Sequence, residues 1–149
     1  MNDIGKRVKS LLASQKHGIL AVTDRETGIP YGAYVNYACD ASGYPVFSIS
    51  ALARHTQALN ANPAASLLVA ELPELGDILS GERACFIGRC CKIDASAETK
   101  MHYLAQHPYA AGYISFADFS FWLLVPEIVH TVAGFGQIAT LPATEVFVI

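Results

Sequence analysis

The run GILAVTDRETGIPYGAYVNYACDASGYPVFSIS, residues 18–50, alternates β-rich segments with turn residues, and it says more about architecture than any other stretch. Residues 18–24 read as a strand and Arg25-Glu26-Thr27-Gly28 as a turn. Residues 31–39 read as a second strand, Asp40-Ala41-Ser42-Gly43 as a second turn, and 44–50 as a third strand. Three strands joined by short Gly- and Asp-containing turns predict an antiparallel meander.

Upstream, Ile4, Val8, Leu11 and Leu12 recur at helical spacing opposite Lys6, Arg7 and Lys9, predicting a short amphipathic helix stopped by Gly18. Its basic face is read as a solvated surface. Downstream, residues 51–62 favour a helix with Ser50 as N-cap and Pro63 as the stop. An apolar strand at 65–71 follows, then a loop rich in Pro, Gly and acids, then a long strand at 83–94. Residues 96–107 predict another helix ending at Pro108, and 119–141 predict two or three strands broken at Pro126-Glu127 and Gly134–Gly136. The expected fold is mainly β: six to eight antiparallel strands in one β-barrel or sandwich domain over 1–149, with helices attached and no βαβ rhythm.

A chain of 149 residues buries roughly 70% of its extended surface on folding, enough for a core without staples. Charged residues are only 15% and hydrophobic ones 52%, so disorder is excluded and an apolar subunit interface is expected. A net charge of −3 argues against a nucleic-acid binder. No apolar run reaches the roughly 18 residues that span a bilayer, and MNDIGKRVKS lacks the apolar core of a signal peptide, so a cytoplasmic location is expected. Cys39, Cys85, Cys90 and Cys91 form no CxxC and read as small hydrophobes; no Cys/His spacing suggests a metal site.

Arg54 and His55 open the helix after the third strand, where a cation opposes the macrodipole and no acid in that turn offsets it. Ser48, Ser50, Thr56 and the free N–H groups of the first turn lie nearby. Hydroxyls, N–H groups and one guanidinium converging on a point suit an anion, most naturally a phosphate. The alternative is that Arg54 lies on the surface and bonds a carbonyl or a distant acid. Tyr31, Tyr34, Tyr37 and Tyr44 beside Asn36 suit a planar ring, or ordinary strand packing.

The segment VFSISALARHTQALNANPAASLLVAE, residues 46–71, resembles the pyridoxamine-5′-phosphate-oxidase-like FMN-binding split barrels, nearest the branch related to haem-utilisation proteins. GIPYGAYVNYACDASGYPVFSIS before it, ERACFIGRC after it and DFSFWLLVPEIVHTVAGFGQIATL near the end suggest the same branch, in matching order over residues 12–141. The resemblance implies a homodimer with FMN at the two-fold interface and the flavin phosphate held by Arg54 and His55, with Ser48 and Ser50. It implies ring contacts from Gly32, Ala33, Tyr34, Val35, Asn36 and Tyr37, with Ile49 alongside. Arg83 takes the place of a flavin-contacting glutamine and is expected to bias the ring's redox state, or to meet a phosphate across the dimer.

The departures narrow the expected activity. Tyr37 stands where the oxidases carry a phosphate-holding lysine, His107 replaces an arginine after Tyr103, and Val132 replaces a flavin-packing tryptophan. The groups that clamp pyridoxine phosphate are mostly gone, so oxidase activity on it is not expected. The resemblance implies an FMN-binding oxidoreductase that moves a hydride to or from a small molecule. The alternatives are a haem-binding or haem-degrading protein on the same barrel, or a non-enzymatic flavin carrier; F420 is a further possible cofactor. Haem relatives often carry a further C-terminal domain, and this chain stops at Ile149, just past the expected barrel. His17, His55, His102, His107 and His130 are the available haem ligands, and nothing in the sequence singles one out.

Overall fold

The computed structural model describes residues 3–134 and 136–147. Helix α1 (Asp3–Ser14) precedes β1 (His17–Thr23), β2 (Pro30–Asn36), β3 (Ala38–Cys39) and β4 (Pro45–Ser50). Helix α2 (Arg54–Ala61), β5 (Ala64–Ala70), β6 (Glu82–Ile93), α3 (Ala97–Gln106), β7 (Phe119–Ala133) and β8 (Ile138–Pro142) complete the set. The helix predicted to stop at Gly18 ends at Ser14, and Gly18 is already in β1. The stretch expected to begin a helix at residue 51 turns first, so α2 starts at Arg54 with Ala53 as its N-cap and no side-chain cap bond. Ser50 instead accepts from the Leu52 N–H at 3.1 Å and donates to Asp118 Oδ2 at 2.7 Å.

All eight strands join one antiparallel sheet in the order β2-β1-β5-β6-β7-β4-β3, with β8 on the other side of β7. The predicted meander is therefore half right. β1 pairs β2 from His17↔Asn36 to Thr23↔Pro30, but β4 pairs β7 and β3 rather than β2. Tyr37 explains the change of partner. Its N–H donates to the Lys16 carbonyl at 2.9 Å, and its hydroxyl donates to the Leu12 carbonyl at 2.6 Å. That inserts the ring beneath α1 and sends the chain away from β1.

The sheet curls around Leu20, Val22, Phe47, Leu67, Val69, Phe86, Leu124 and Val129, with Val8, Leu11 and Leu12 of α1 packed against them. Outside, α3 covers β4 and β7 with a second cluster built on Val46, Tyr103 and Phe121. β4 is consequently buried on both faces, which its unbroken apolar sequence reflects.

The expected break at Pro126-Glu127 is absent: β7 runs fifteen residues through it. The register instead shifts between Ile87↔Ile128 and Gly88↔Pro126, a bulge that accommodates the proline's missing N–H. A Cβ on Gly88 would overlap the Val125 carbonyl oxygen and crowd the Pro126 Cα at 2.9 Å, both backbone. Gly88→Ala should therefore destabilise the protein by about 3 kcal/mol, an overpacking cost, read as a lowered urea midpoint at unchanged m-value. An unchanged midpoint would mean that the bulge relaxes freely.

Candidate functional site

The two ends of the curled sheet approach without pairing: β2 comes close to β4, and among the described residues no backbone ladder joins them. The seam is an open cleft of about 310 Å³ lined by Tyr34, Val35 and Asn36 of β2, Ser48, Ile49 and Ser50 of β4, Ala53 and His55 around the start of α2, and Tyr103, Tyr113 and Phe119. Strand alternation sets the roles: Val35 and Ile49 pack into the barrel, Tyr34 and Asn36 face out, and Ser48 faces α3. Tyr34 is 73% exposed and forms the rim.

Two polar groups in this lining lack a hydrogen-bond partner. Ser48 is 9% exposed with its Oγ buried and unpaired, and the buried His55 Nε2 is likewise unpaired. Buried polar atoms are ordinarily satisfied, so orphans beside a cleft are what a ligand or water would complete. Burial pushes the His55 pKa below its usual value, favouring the neutral imidazole. Tyr103, 1% exposed, sits beside the Ser48 backbone N–H, and burial raises its phenol to about 12, so it stays protonated.

Seven of the residues expected to bind a cofactor thus meet here: Tyr34, Val35, Asn36, Ser48, Ile49, Ser50 and His55. Four do not. Ala33 is buried in the barrel core. Tyr37 is 1% exposed and locked to Leu12, and its carbonyl lies 2.7 Å from His107 Nε2, so its ring cannot face a ligand in the cleft. Arg83 lies on the far side of Tyr34, donating to the Leu79 carbonyl at 3.0 Å in an apolar groove shared with Ile19, Leu68 and Leu72.

Arg54 departs most from expectation. Its Nε and Nη2 bond Asp24 Oδ1 and Oδ2 at 2.6 and 3.0 Å, and its guanidinium lies 5.7 Å from the Tyr31 ring centre. The dipole conflict read from the sequence is resolved by an acid thirty residues away. Asp24, 5% exposed, also accepts from the Thr27 N–H and hydroxyl, and the Arg54 guanidinium holds its carboxyl well below the usual range. Among the described residues no Lys or Arg lines the seam.

Sequence reasoning missed Tyr113, Phe119 and Asp118, and it did not assign Tyr103 to the cleft. All lie far along the chain from β2 and β4. The clustering of aromatics at 113–122 was the available signal.

A match to the CREG β-barrel model runs over residues 4–147. The chain belongs to the CREG β-barrel family. It is 36% identical over 132 residues to the chloroplastic non-canonical haem oxygenase HOZ of Arabidopsis thaliana, a match covering 87% of this chain and 40% of that protein. The chain therefore spans well under half the length of that relative. A haem-binding protein from Mycobacterium smegmatis superposes with a TM-score of 0.90 at 26% identity, covering 98% of this chain and 60% of that one. A Clostridium acetobutylicum protein of the pyridoxinephosphate oxidase family gives a TM-score of 0.73 at 15% identity over 97% of each chain, which is likeness of fold. The split-barrel fold of the expected resemblance holds, and the two relatives at 36% and 26% identity are described as a haem oxygenase and a haem-binding protein. No helix among the described residues is long and apolar enough to cross a membrane.

His55 makes a pH prediction. Its folded pKa is depressed below the unfolded value near 6.5, so the unfolded chain binds the proton more tightly. Its contribution to stability is complete above about pH 6.5 and is lost as pH falls below that value. The thermal midpoint should drop between pH 7.5 and 5.5, and His55→Gln should flatten that drop. Equal slopes in the two proteins would disprove the assignment.

Proposed function

We propose that this chain binds haem in the seam between β2 and β4, as the haem-holding barrel of a haem-binding or haem-degrading protein. The observation that carries the reading is the lining: four aromatic rings, an imidazole that burial biases toward its neutral form and, among the described residues, no Lys or Arg, which suits a broad, largely apolar macrocycle better than a phosphorylated one. The 36% identity to a haem oxygenase and the superposition on a haem-binding protein support it.

Haem, when bound, supplies a redox-active iron. The chain's own part is to hold the ring and exclude water from it. Tyr34, Tyr113 and Phe119 present faces and edges for ring packing, while Asn36, Ser48 and His55 offer hydrogen bonds to polar substituents. Among the histidines, His55 alone lines this cleft. His107 is bonded to the Tyr37 carbonyl, His130 Nδ1 lies 2.8 Å from Thr140 Oγ1, His17 packs at a tilt against Tyr34 at the outer groove, and His102 lines a separate hollow beside Asp40.

An FMN-dependent oxidoreductase acting on a small molecule, or a flavin carrier, is the second reading. It rests on Asn36 and the two serines, but Arg54, the standing charge that a phosphate needs, is bonded elsewhere.

The cleft is open on one side, and the outward row Tyr34–Ile19–Leu68 across β2, β1 and β5 is apolar and exposed. We take this face as the surface on which a second copy docks, which would close the cleft. Patches of this kind commonly mark subunit interfaces.

Titration with haemin should give a Soret band, and His55→Ala or Tyr34→Ala should weaken binding by tenfold or more, about 1.4 kcal/mol. Absence of haemin uptake would end the haem reading. Leu68→Glu should convert a dimer to a monomer by light scattering; a wild-type protein that is already monomeric would remove the two-copy arrangement.

A further inference from the structure

We propose that Asp24 determines which cofactor the cleft accepts: by holding Arg54 outside the seam, it denies the site a fixed positive charge and closes it to phosphomonoester ligands such as FMN. The proposal rests on the reading that the seam is the cofactor site, but not on the cofactor being haem.

Arg54 stands between Ala53 and His55, both of which line the cleft, yet Arg54 itself does not. It borders a separate hollow with Asp24, Arg25, Glu26, Leu52 and Gln57. Four hydrogen bonds fix the Asp24 carboxylate there: two from the Arg54 guanidinium and two from Thr27. The turn that carries Asp24 is itself closed, with Asp24 N–H donating to the Ile29 carbonyl and Gly28 N–H to the Asp24 carbonyl, both at 2.9 Å. Planar, bidentate pairing of this kind is what Arg offers a phosphate, and here a carboxylate occupies it. Because the Asp24 carboxyl is held far below its usual pKa, the pair stays ionised across physiological pH, and the lock is not a pH switch.

What remains at the seam opposes a phosphate dianion. Ser50 is bonded to the Asp118 carboxylate at 2.7 Å, which places a negative group at the cleft's edge. Among the described residues His55 is the one ionisable base in the lining, and burial shifts it toward its neutral form. Two hydroxyls and a neutral imidazole beside a carboxylate do not compensate a double negative charge. An uncharged or apolar ligand face meets no such penalty.

The test uses the full chain and three variants: Asp24→Asn, Arg54→Gln and the double substitution, each checked for folding by circular dichroism. FMN binding is read by quenching of flavin fluorescence, with inorganic phosphate as competitor, and haemin binding by the Soret band in parallel. Asp24→Asn should tighten FMN binding at least tenfold, the gain should be competed by phosphate, and the double variant should lose it. Arg54→Gln alone should leave FMN affinity unchanged. A folded Asp24→Asn protein with no gain would overturn the proposal. So would a tenfold loss of FMN affinity in Arg54→Gln, which would place Arg54 in the cleft already; this arm decides the matter if Asp24→Asn does not fold. Failure of haemin to bind any variant, with the FMN pattern as expected, would remove the haem reading and leave the role of Asp24 standing.

Discussion

Between Glu82–Ile93 on β6 and the facing residues of β7, twelve positions pair antiparallel, with a single shift in register at Gly88. Every other strand is attached to this ladder directly or at one or two removes. β5 and β1 continue it on one side, β4 on the other, and β8 folds back on the far half of β7. Strands this long cannot stay flat, because each carries a right-handed twist and the twist accumulates. The bulge adds to the local bend. The sheet therefore curls until β2 and β4, five places apart in its order, come close enough to form the two walls of a cleft.

The cleft inherits its chemistry from that geometry. It forms at a seam where backbone pairing stops, so strand edges and outward side chains face each other with space between. α3 and the segment leading into β7 supply the floor through Tyr103, Tyr113 and Phe119, because β4 needs cover on its outer face. The same packing buries Ser48 and His55 without giving their polar atoms partners. A site of this kind is greasy and nearly uncharged, which is unusual for an FMN pocket and natural for a tetrapyrrole. Arg54, next to His55 in the chain, is held away from the cleft by Asp24.

Much of the fold was legible in the sequence. Turn residues at 25–28 and 40–43 and the helical spacing from Ile4 to Leu12 located their elements within a few residues, because turns and amphipathic faces are local properties. Partnership between strands was not legible. The third strand looked continuous with the first two, yet Tyr37 diverts the chain through a contact with Leu12 that no local pattern announces. Pro126 looked like a break because proline usually ends pairing; a bulge at Glu127 made it harmless, and it is tolerated because the residue it faces on β6, Gly88, carries no side chain.

The sequence by itself determined a β-rich barrel, an apolar outer surface, and a conflict at Arg54 that had to be resolved somehow. Those follow from composition, periodicity and the sign of a helix dipole, all of which act over a few residues. Only the tertiary structure decided how the conflict was resolved and where the candidate cleft forms. Asp24 and Arg54 are thirty residues apart, and β2, β4 and the aromatics after α3 come from three separate stretches. Ion pairs and clefts are set by distance in space, and the curl of the sheet, not chain order, brings those groups together.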